Sequence, residues 1–350
     1  MTARTRADLE SLPLYVPGRN IPGAVKLASN EVSEGPLPSV AAAIVDAAAG
    51  INRYPDNGIT ALVDRLAALL DVPRSHLAVG CGSVSLCQQL VQATCGRDEE
   101  VLFAWRSFEE YPRITQVVGA RPRIVPLRPD HTHDLPAMLD AITPATRLVF
   151  VCSPNNPTGT AVRRDELVAF LDAVPDGVLV ALDEAYHEFV TDPEVPDGVA
   201  LGRQRDSLAV LRTFSKAYGL AGLRVGYCVA PEPIAAALRK MYVTFSVNSL
   251  AQVAALASLD VAGELLARCR RIAAERDRVR AELIAMGYPV ADSQANFVWL
   301  PLGQATAAFD AHCLEHKIVI RGFSGAGARV TVSDPAENEA FLAAARSFRS

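Results

Sequence analysis

The chain reads as an α/β protein: a large three-layer αβα unit with a mostly parallel central sheet, followed by a smaller α+β unit. Three observations predict this. Short, almost wholly apolar runs alternate with helical stretches through the first two thirds of the chain, as in strands covered on both faces. From Pro231 the alternation gives way to long Ala/Leu/Arg-rich helical sequence and then to short strands. A length of 350 residues exceeds what one hydrophobic core usually serves. The expected division is an arm at 1–28, a large domain at 29–232 and a small domain at 233–350.

Each element has a local reason. Pro13, Pro17 and Gly18 follow Leu12 closely and keep the arm irregular. The pattern then predicts helices at 38–49 and 58–70, a strand at 76–79 and a helix from Ser83. A strand follows at 100–104, a helix near 109–118 and a strand at 123–126. Strands at 147–152 and 178–182 bracket a helix at 164–173, and the apolar run 207–214 enters the core. Beyond it a helix at 232–245 leads to one long helix between 251 and 286. Strands at 296–300, 318–321 and 329–332 and a closing helix from Pro335 complete the chain. The segment 192–206, rich in Pro, Gly and charge, is the expected mobile loop.

Composition excludes several classes. The net charge of −5 leaves no basic footprint for nucleic acid. Residues 1–12 lack the apolar stretch of a signal peptide, and no apolar run reaches the length of a membrane span. Seven scattered cysteines without a C-x-x-C pair suit reduced thiols, so a cytoplasmic location is expected.

Chemistry concentrates around Lys216, in the run Thr213-Phe214-Ser215-Lys216-Ala217-Tyr218-Gly219 with Arg224 at +8. A lysine carried into the core titrates low and becomes a nucleophile suited to Schiff-base formation. The hydroxyls of Thr213 and Ser215 and the guanidinium of Arg224 are what a phosphate needs. An aldehyde cofactor with a phosphate tail, pyridoxal 5′-phosphate, satisfies both halves. Two earlier strands end in polar groups: 148–152 runs into Ser153-Pro154-Asn155-Asn156-Pro157-Thr158-Gly159, and 178–182 delivers Asp183 with Tyr186 three residues on. In parallel α/β sheets ligands bind beyond the carboxyl ends of the strands.

The order NNPTG, DEAY and TFSKAYGLAGLRVGY resembles the fold-type I pyridoxal-phosphate-dependent aminotransferases, and in particular their histidinol-phosphate aminotransferase subfamily. The likeness runs from about Leu27 to the end and includes Asn52-Arg53-Tyr54-Pro55-Asp56 and Arg329-Val330-Thr331-Val332. The resemblance implies that Lys216 is the Schiff-base lysine, that Asp183 pairs with the ring nitrogen, and that Tyr186 and Asn156 bond the ring oxygen. It implies that Gly82, Ser83 and Val84, with Thr213, Ser215 and Arg224, hold the phosphate. Phe108 would stack on the ring, where many relatives have tyrosine. Tyr54 would reach the cofactor phosphate of a partner subunit, making the protein a homodimer. Arg329 would fork onto the substrate's anionic group, with Arg321 and Tyr15 beside it.

Each motif also has a plain structural reading. Gly80-Cys81-Gly82-Ser83-Val84-Ser85 makes a tight strand-to-helix turn, and it nearly spells a dinucleotide fingerprint. No acidic ribose reader follows about 20 residues on, so a phosphate cup at a helix N-terminus is favoured. Alone, Asp183 would be a strand-end cap, Phe108 a core aromatic, Tyr54 a turn residue and Arg329 a half-exposed charge paired with Asp334. His312 and His316, four apart, lack a third ligand and read as a helix end, so no metal is expected. The arginines at 268, 270, 271, 276, 278 and 280 alternate with acids and read as a solvated helix face.

The amino donor is a finer question. The subfamily's usual acidic and tyrosine-bearing runs are replaced by Val84-Ser85-Leu86 and Val32-Ser33-Glu34. With Trp105-Arg106-Ser107-Phe108, these resemble the actinobacterial aromatic-amino-acid (phenylalanine) aminotransferases. The implied reaction moves an amino group from phenylalanine, tyrosine or tryptophan to a 2-oxo acid such as 2-oxoglutarate, with Glu34 near the mouth repelling a phosphate. Histidinol phosphate is the alternative donor, and a phosphate-bearing amino-acid decarboxylase the third reading. The fold also serves as an effector-sensing module in transcription regulators, but residues 1–28 are too short for a helix-turn-helix. A dehydrogenase would rest on the glycine turn alone.

Overall fold

The computed structural model describes residues 4–6, 9, 10, 12, 14 and 18–349. Tyr15 lies outside them. The chain runs β1 (Val25–Lys26), α1 (Pro38–Ala48), α2 (Thr60–Leu70), β2 (Leu77–Gly80), α3 (Ser83–Thr94), β3 (Glu100–Trp105) and α4 (Glu110–Val118). Then come β4 (Arg121–Pro126), α5 (Leu135–Asp140), β5 (Thr146–Cys152), α6 (Arg164–Ala173), β6 (Leu179–Asp183), α7 (Gly198–Gly202), β7 (Leu208–Thr213) and β8 (Gly226–Val229). The remainder is α8 (Glu232–Met241), α9 (Ser249–Asp260), α10 (Ala262–Ala285), β9 (Phe297–Leu300), α11 (Thr306–Glu315), β10 (Ile318–Val319), β11 (Arg321–Phe323), β12 (Gly327–Thr331) and α12 (Pro335–Arg349).

The large body is built on a seven-stranded sheet in the order β2-β8-β7-β6-β5-β3-β4. The five strands from β7 to β4 are mutually parallel, and β8 runs antiparallel to both its neighbours. Alternation along each strand feeds two separate cores. Leu102, Ala104, Val149 and Val151 join one, with side chains of α2, α6 and α9. Val101, Phe103, Leu148 and Phe150 join the other, with α3, α4 and α8. That is the three-layer arrangement read from the apolar runs. In register, Cys152 lies opposite Asp183, and Asp183 opposite Leu211, so the ends of β5, β6 and β7 stand side by side.

The second body is an antiparallel sheet, β11-β12-β9, covered by α10, α11 and α12. Chain before the large body contributes to it: β1 pairs parallel with β10, and Leu27 is fully buried in this core. Among the described residues no single helix is long and apolar enough to cross a membrane.

Three expectations change, and one of the plain structural readings falls. The single helix at 251–286 is two, α9 and α10, meeting at a bend of 82°. Gly263 lies two residues past the break at Val261, and packing fixes the direction of the turn, since Ala251, Ala254 and Ala255 of α9 lie in the large body's core. Ala235 and Leu238 of α8 also belong to a large-body core. We therefore propose that the domains divide at the α9–α10 bend rather than at residue 232.

The segment 192–206 is tied down rather than loose. Asp197 caps α7, accepting from Val199 N–H and Ala200 N–H at 2.8 and 3.1 Å. The same carboxylate meets the buried Arg212 at 3.0 Å, which also pairs with Glu184 at 2.8 Å. The arginine face of α10 is not uniformly solvated either: Arg268 and Arg276 are fully buried. Backbone carbonyls accept from both, and Arg276 also pairs with Asp277 at 2.9 Å. Arg268 donates to Gly35 O and Ala217 O at 3.0 and 2.9 Å, and Arg276 to Phe189 O and Ala295 O at 3.1 and 3.2 Å. Arg329, finally, is no half-exposed strand charge; it is buried on the inner side of β12.

Candidate active site

A cavity of about 250 Å³ opens beyond the carboxyl ends of the parallel strands, between the two bodies. Three strand ends and one helix N-terminus supply its chemistry. β6 is buried along its whole length and delivers Asp183 to the floor. Burial pushes the Asp183 carboxyl up to about 6, against the lowering effect of a 2.7 Å bond donated by Tyr111 Oη. Its other bond is a longer one from Ala185 N–H, 3.3 Å. The two bonds come from neutral groups, so a buried carboxylate of this kind suits a cation brought by a ligand.

Lys216 follows β7 on a turn closed by Gly219 N–H to Lys216 O at 3.0 Å. Its Nζ donates to Ser29 O at 3.0 Å. Burial first, and the positive charge of Arg329 next, pull its pKa down to about 8. About a tenth of the amine is thus neutral at pH 7, far more than for an ordinary lysine, as a nucleophile and proton carrier require.

One end of the cavity is built for an anion. α3 starts at Ser83 after Gly82, whose φ of 78° is open to glycine at little cost. A Cβ on Gly82 would collide with the Arg224 guanidinium, so the missing side chain lets that cation lie against the helix start. Arg224 Nη1 donates to Ser215 Oγ at 3.3 Å and to Ala221 O at 3.0 Å, and Thr213 Oγ1 lies 3.0 Å from Ser215 Oγ. Helix N–H groups, two hydroxyls and a guanidinium together form a phosphate-binding arrangement.

At the opposite end Arg329 donates from Nη1 to Asn156 Oδ1 at 2.5 Å and from Nη2 to Ala28 O at 2.6 Å. Arg321 reaches the same cavity and pairs with Glu109 at 2.9 Å. Tyr186 is buried, and burial raises its phenol above the usual range. Its oxygen accepts from Asn30 Nδ2 at 2.9 Å, so its own proton is left to point elsewhere.

Of the residues singled out from sequence, Ser83, Val84, Phe108, Asn156, Asp183, Tyr186, Thr213, Ser215, Lys216, Arg224, Arg321 and Arg329 line this one cavity. Gly82 lies just behind, against Arg224. Tyr54 does not join them: it is 82% exposed and stacks on Phe245, with ring centroids 4.5 Å apart. Glu34 pairs with Arg271 at 3.3 Å, and the glutamates lining the cavity are Glu31 and Glu109. His312 bonds Ala344 O and Ser347 Oγ, each at 3.0 Å, in the closing helix.

Sequence reasoning missed Tyr111, Asn30 and the Ser29 carbonyl. Asn30 carried a usable signal: its φ of 55° is one that asparagine tolerates better than most residues. It ties three segments together, since Asn296 Nδ2 donates to its carbonyl at 3.1 Å and its N–H donates to Thr331 Oγ1 at 2.9 Å.

A lysine, a buried acid and an anion cup around one cavity define a class, and comparison with known proteins gives the same one. The family model described as "Aminotransferase class I and II" matches residues 22–344, so the chain belongs to that family. It is 60% identical to the aromatic amino acid aminotransferase of Rhodococcus jostii over 347 residues, covering 99% of this chain and 96% of the relative. The enzyme of the same name from Mycobacteroides abscessus is 56% identical, with both chains fully covered. Among solved structures, histidinol-phosphate aminotransferase from Sinorhizobium meliloti in complex with pyridoxal-5′-phosphate superposes with a TM-score of 0.91 at 29% identity. That match covers 100% of this chain and 98% of the other.

Proposed function

We propose that this aminotransferase uses pyridoxal 5′-phosphate to move the amino group of an aromatic amino acid to a 2-oxo acid such as 2-oxoglutarate. The observation that carries the reading is the opposition, in one cavity, of the low-titrating Lys216 amine and the buried Asp183 carboxylate, with the anion cup beside them. Residues and cofactor fit. The Ser83–Val84 helix start, Thr213, Ser215 and Arg224 would hold the phosphate, Asp183 the ring nitrogen, Asn156 and Tyr186 the ring oxygen, and Phe108 the ring face. The bound cofactor supplies an electron sink for the charge that develops at the substrate's Cα.

The protein's own groups do the rest. Arg329 binds the substrate carboxylate through its planar fork. Lys216, released from Ser29 O, would take the proton from the substrate's Cα and deliver it to the cofactor's aldehyde carbon, two bonds away across the substrate nitrogen, a contribution of about 10²–10⁴-fold. Tyr186, with its oxygen occupied as an acceptor by Asn30, offers its proton toward the cavity.

Donor choice follows from both ends of the site. Phenylalanine and tyrosine bring a carboxylate for Arg329. Histidinol phosphate has none, and would have to offer its phosphate to Arg329 from the far end of the molecule. Each missing charge-assisted contact costs roughly ten- to a hundred-fold in specificity. A donor panel against 2-oxoglutarate should therefore give kcat/KM for phenylalanine or tyrosine above that for histidinol phosphate by at least about tenfold. A reversed preference returns the chain to histidinol phosphate and leaves the fold and lysine unaffected.

The active unit we propose is a homodimer in which Tyr54 completes the partner's site. Tyr54, Val45, Ile51 and Val243 are large apolar or aromatic side chains standing in solvent in the single chain. Mixing a Lys216→Ala chain with a Tyr54→Ala chain, each inactive alone, should restore up to half the sites of the hybrid. No recovery despite subunit exchange measured by mass spectrometry means that Tyr54 acts within its own chain.

A further inference from the structure

Asp183 has a partner that the reaction outlined above leaves unused. Tyr111 comes from the first turn of α4, 72 positions away in sequence, and its hydroxyl lies 2.7 Å from Asp183 Oδ2. The side chain is fully buried. Its ring is clamped: it stacks flat on Phe150 at 4.3 Å and 7°, and meets Phe108 edge-on at 5.5 Å and 89°. Tyr111 N–H also donates to Phe108 O at 3.0 Å. One turn of chain therefore carries both the ring proposed to cover the cofactor and the group that holds its acid.

The direction of the bond is fixed by chemistry. An ionised carboxylate only accepts, and a phenol has one proton to give. Burial first, with the nearby Asp183 charge, drives the Tyr111 phenol further up, so it stays a donor.

We propose that Tyr111 is a positioning residue for the aminotransferase chemistry: its hydroxyl holds Asp183 by Oδ2 and leaves Oδ1 as the oxygen available to a cation bound in the cavity. The inference rests on the reading of Asp183 as the partner of the cofactor's ring nitrogen. It assigns the phenol two effects. It fixes the carboxylate's rotation, and it opposes the upward push of burial on Asp183, extending the charged form to lower pH.

Tyr111→Phe tests this, because phenylalanine keeps the stack on Phe150 and removes one oxygen. The measurement is cofactor affinity of the apoenzyme by fluorescence titration across pH, not turnover. Loss of the bond should weaken binding by about tenfold or more near neutral pH. The fall-off on the acid side should move to higher pH: without its donor, Asp183 protonates earlier as pH drops. In an Asp183→Ala background the same substitution should cost nothing, the mark of a pairwise effect. Incorporating 3-fluorotyrosine at 111, a more acidic phenol of nearly the same size, should shift the fall-off the other way. This second variant also serves if the phenylalanine form folds poorly.

An unchanged affinity and pH profile in Tyr111→Phe, or an equal loss in the Asp183→Ala background, overturns the inference and leaves Tyr111 as packing. If Asp183→Ala itself binds cofactor with wild-type affinity and pH dependence, the reading of Asp183 fails and the inference with it. If Asp183→Ala weakens binding while both Tyr111 variants are silent, the inference alone fails.

Discussion

Lys216→Ala should abolish turnover while leaving the protein folded and able to hold its cofactor through the remaining contacts. The amine does two jobs in the proposed reaction, as nucleophile and as carrier of the Cα proton. The second alone is worth about 10²–10⁴-fold, so the combined loss should reach at least the upper end of that range. The pH behaviour follows from the low titration. Starting from 10.5, burial and then Arg329 bring Lys216 to about 8. Capture of an aldehyde by the apoenzyme should therefore quicken as pH rises, reach half its limit near pH 8 rather than near 10.5, and level off about one pH unit higher. Rapid mixing with cofactor, borohydride quenching and peptide mass mapping measure this. An adduct on a different lysine, or near-normal rates in Lys216→Ala, removes the assignment.

Much of this site is legible in the chain because its main groups sit at strand ends. Asn156, Asp183 and Lys216 each follow a run of buried residues in β5, β6 or β7, and parallel strands bring their carboxyl ends together. The anion cup is legible for a similar reason: Gly80, Gly82 and Ser83 are short-range turn and helix-start signals. The division into a parallel sheet and a later α+β body follows from the same alternation.

What escapes the sequence is what packing alone decides. The Tyr111–Asp183 bond joins α4 to β6, and Asn30 meets Thr331 across 301 positions; neither has a local pattern. The α9–α10 bend has only Gly263 near it as a local signal, and the turn itself follows from α9 laying Ala251, Ala254 and Ala255 on the large body's core. Arg268 and Arg276 look like surface charges beside Glu275 and Asp277. They lie on the buried face of α10 with Leu265, Cys269 and Val279. Arg276 does meet Asp277, but the carbonyls of Gly35, Ala217, Phe189 and Ala295 that receive the two guanidinium groups leave no trace in the charge pattern. Tyr54 is read as a loop residue, but Phe245 is expected at the end of a helix 232–245 that stops at Met241, and their stack is visible only once 54 and 245 are brought together.

Asp183→Asn should separate stability from activity. Among the protein's own groups the carboxylate is held in an unfavourable place: burial raises it from 3.8 to about 6. A raised folded-state value means that the native state binds the extra proton between about pH 4 and 6, so native stability falls as pH rises through that window. Above pH 6 the full cost remains, on the order of a few kcal/mol. The neutral amide escapes it. The Asp183→Asn apoenzyme should therefore unfold at a higher temperature than the parent at pH 7, with the difference disappearing near pH 4. Activity should go the other way. Asparagine cannot neutralise a protonated ring nitrogen, and one charge-assisted contact in a buried site is worth about ten- to a hundred-fold, more where charge develops in the transition state. The single-turnover rate with phenylalanine should fall by about a hundredfold or more. A more stable apoenzyme with an unchanged single-turnover rate would show that Asp183 is a strained structural acid with no part in the chemistry. A less stable one at pH 7 would show that the carboxylate is better solvated than its burial allows.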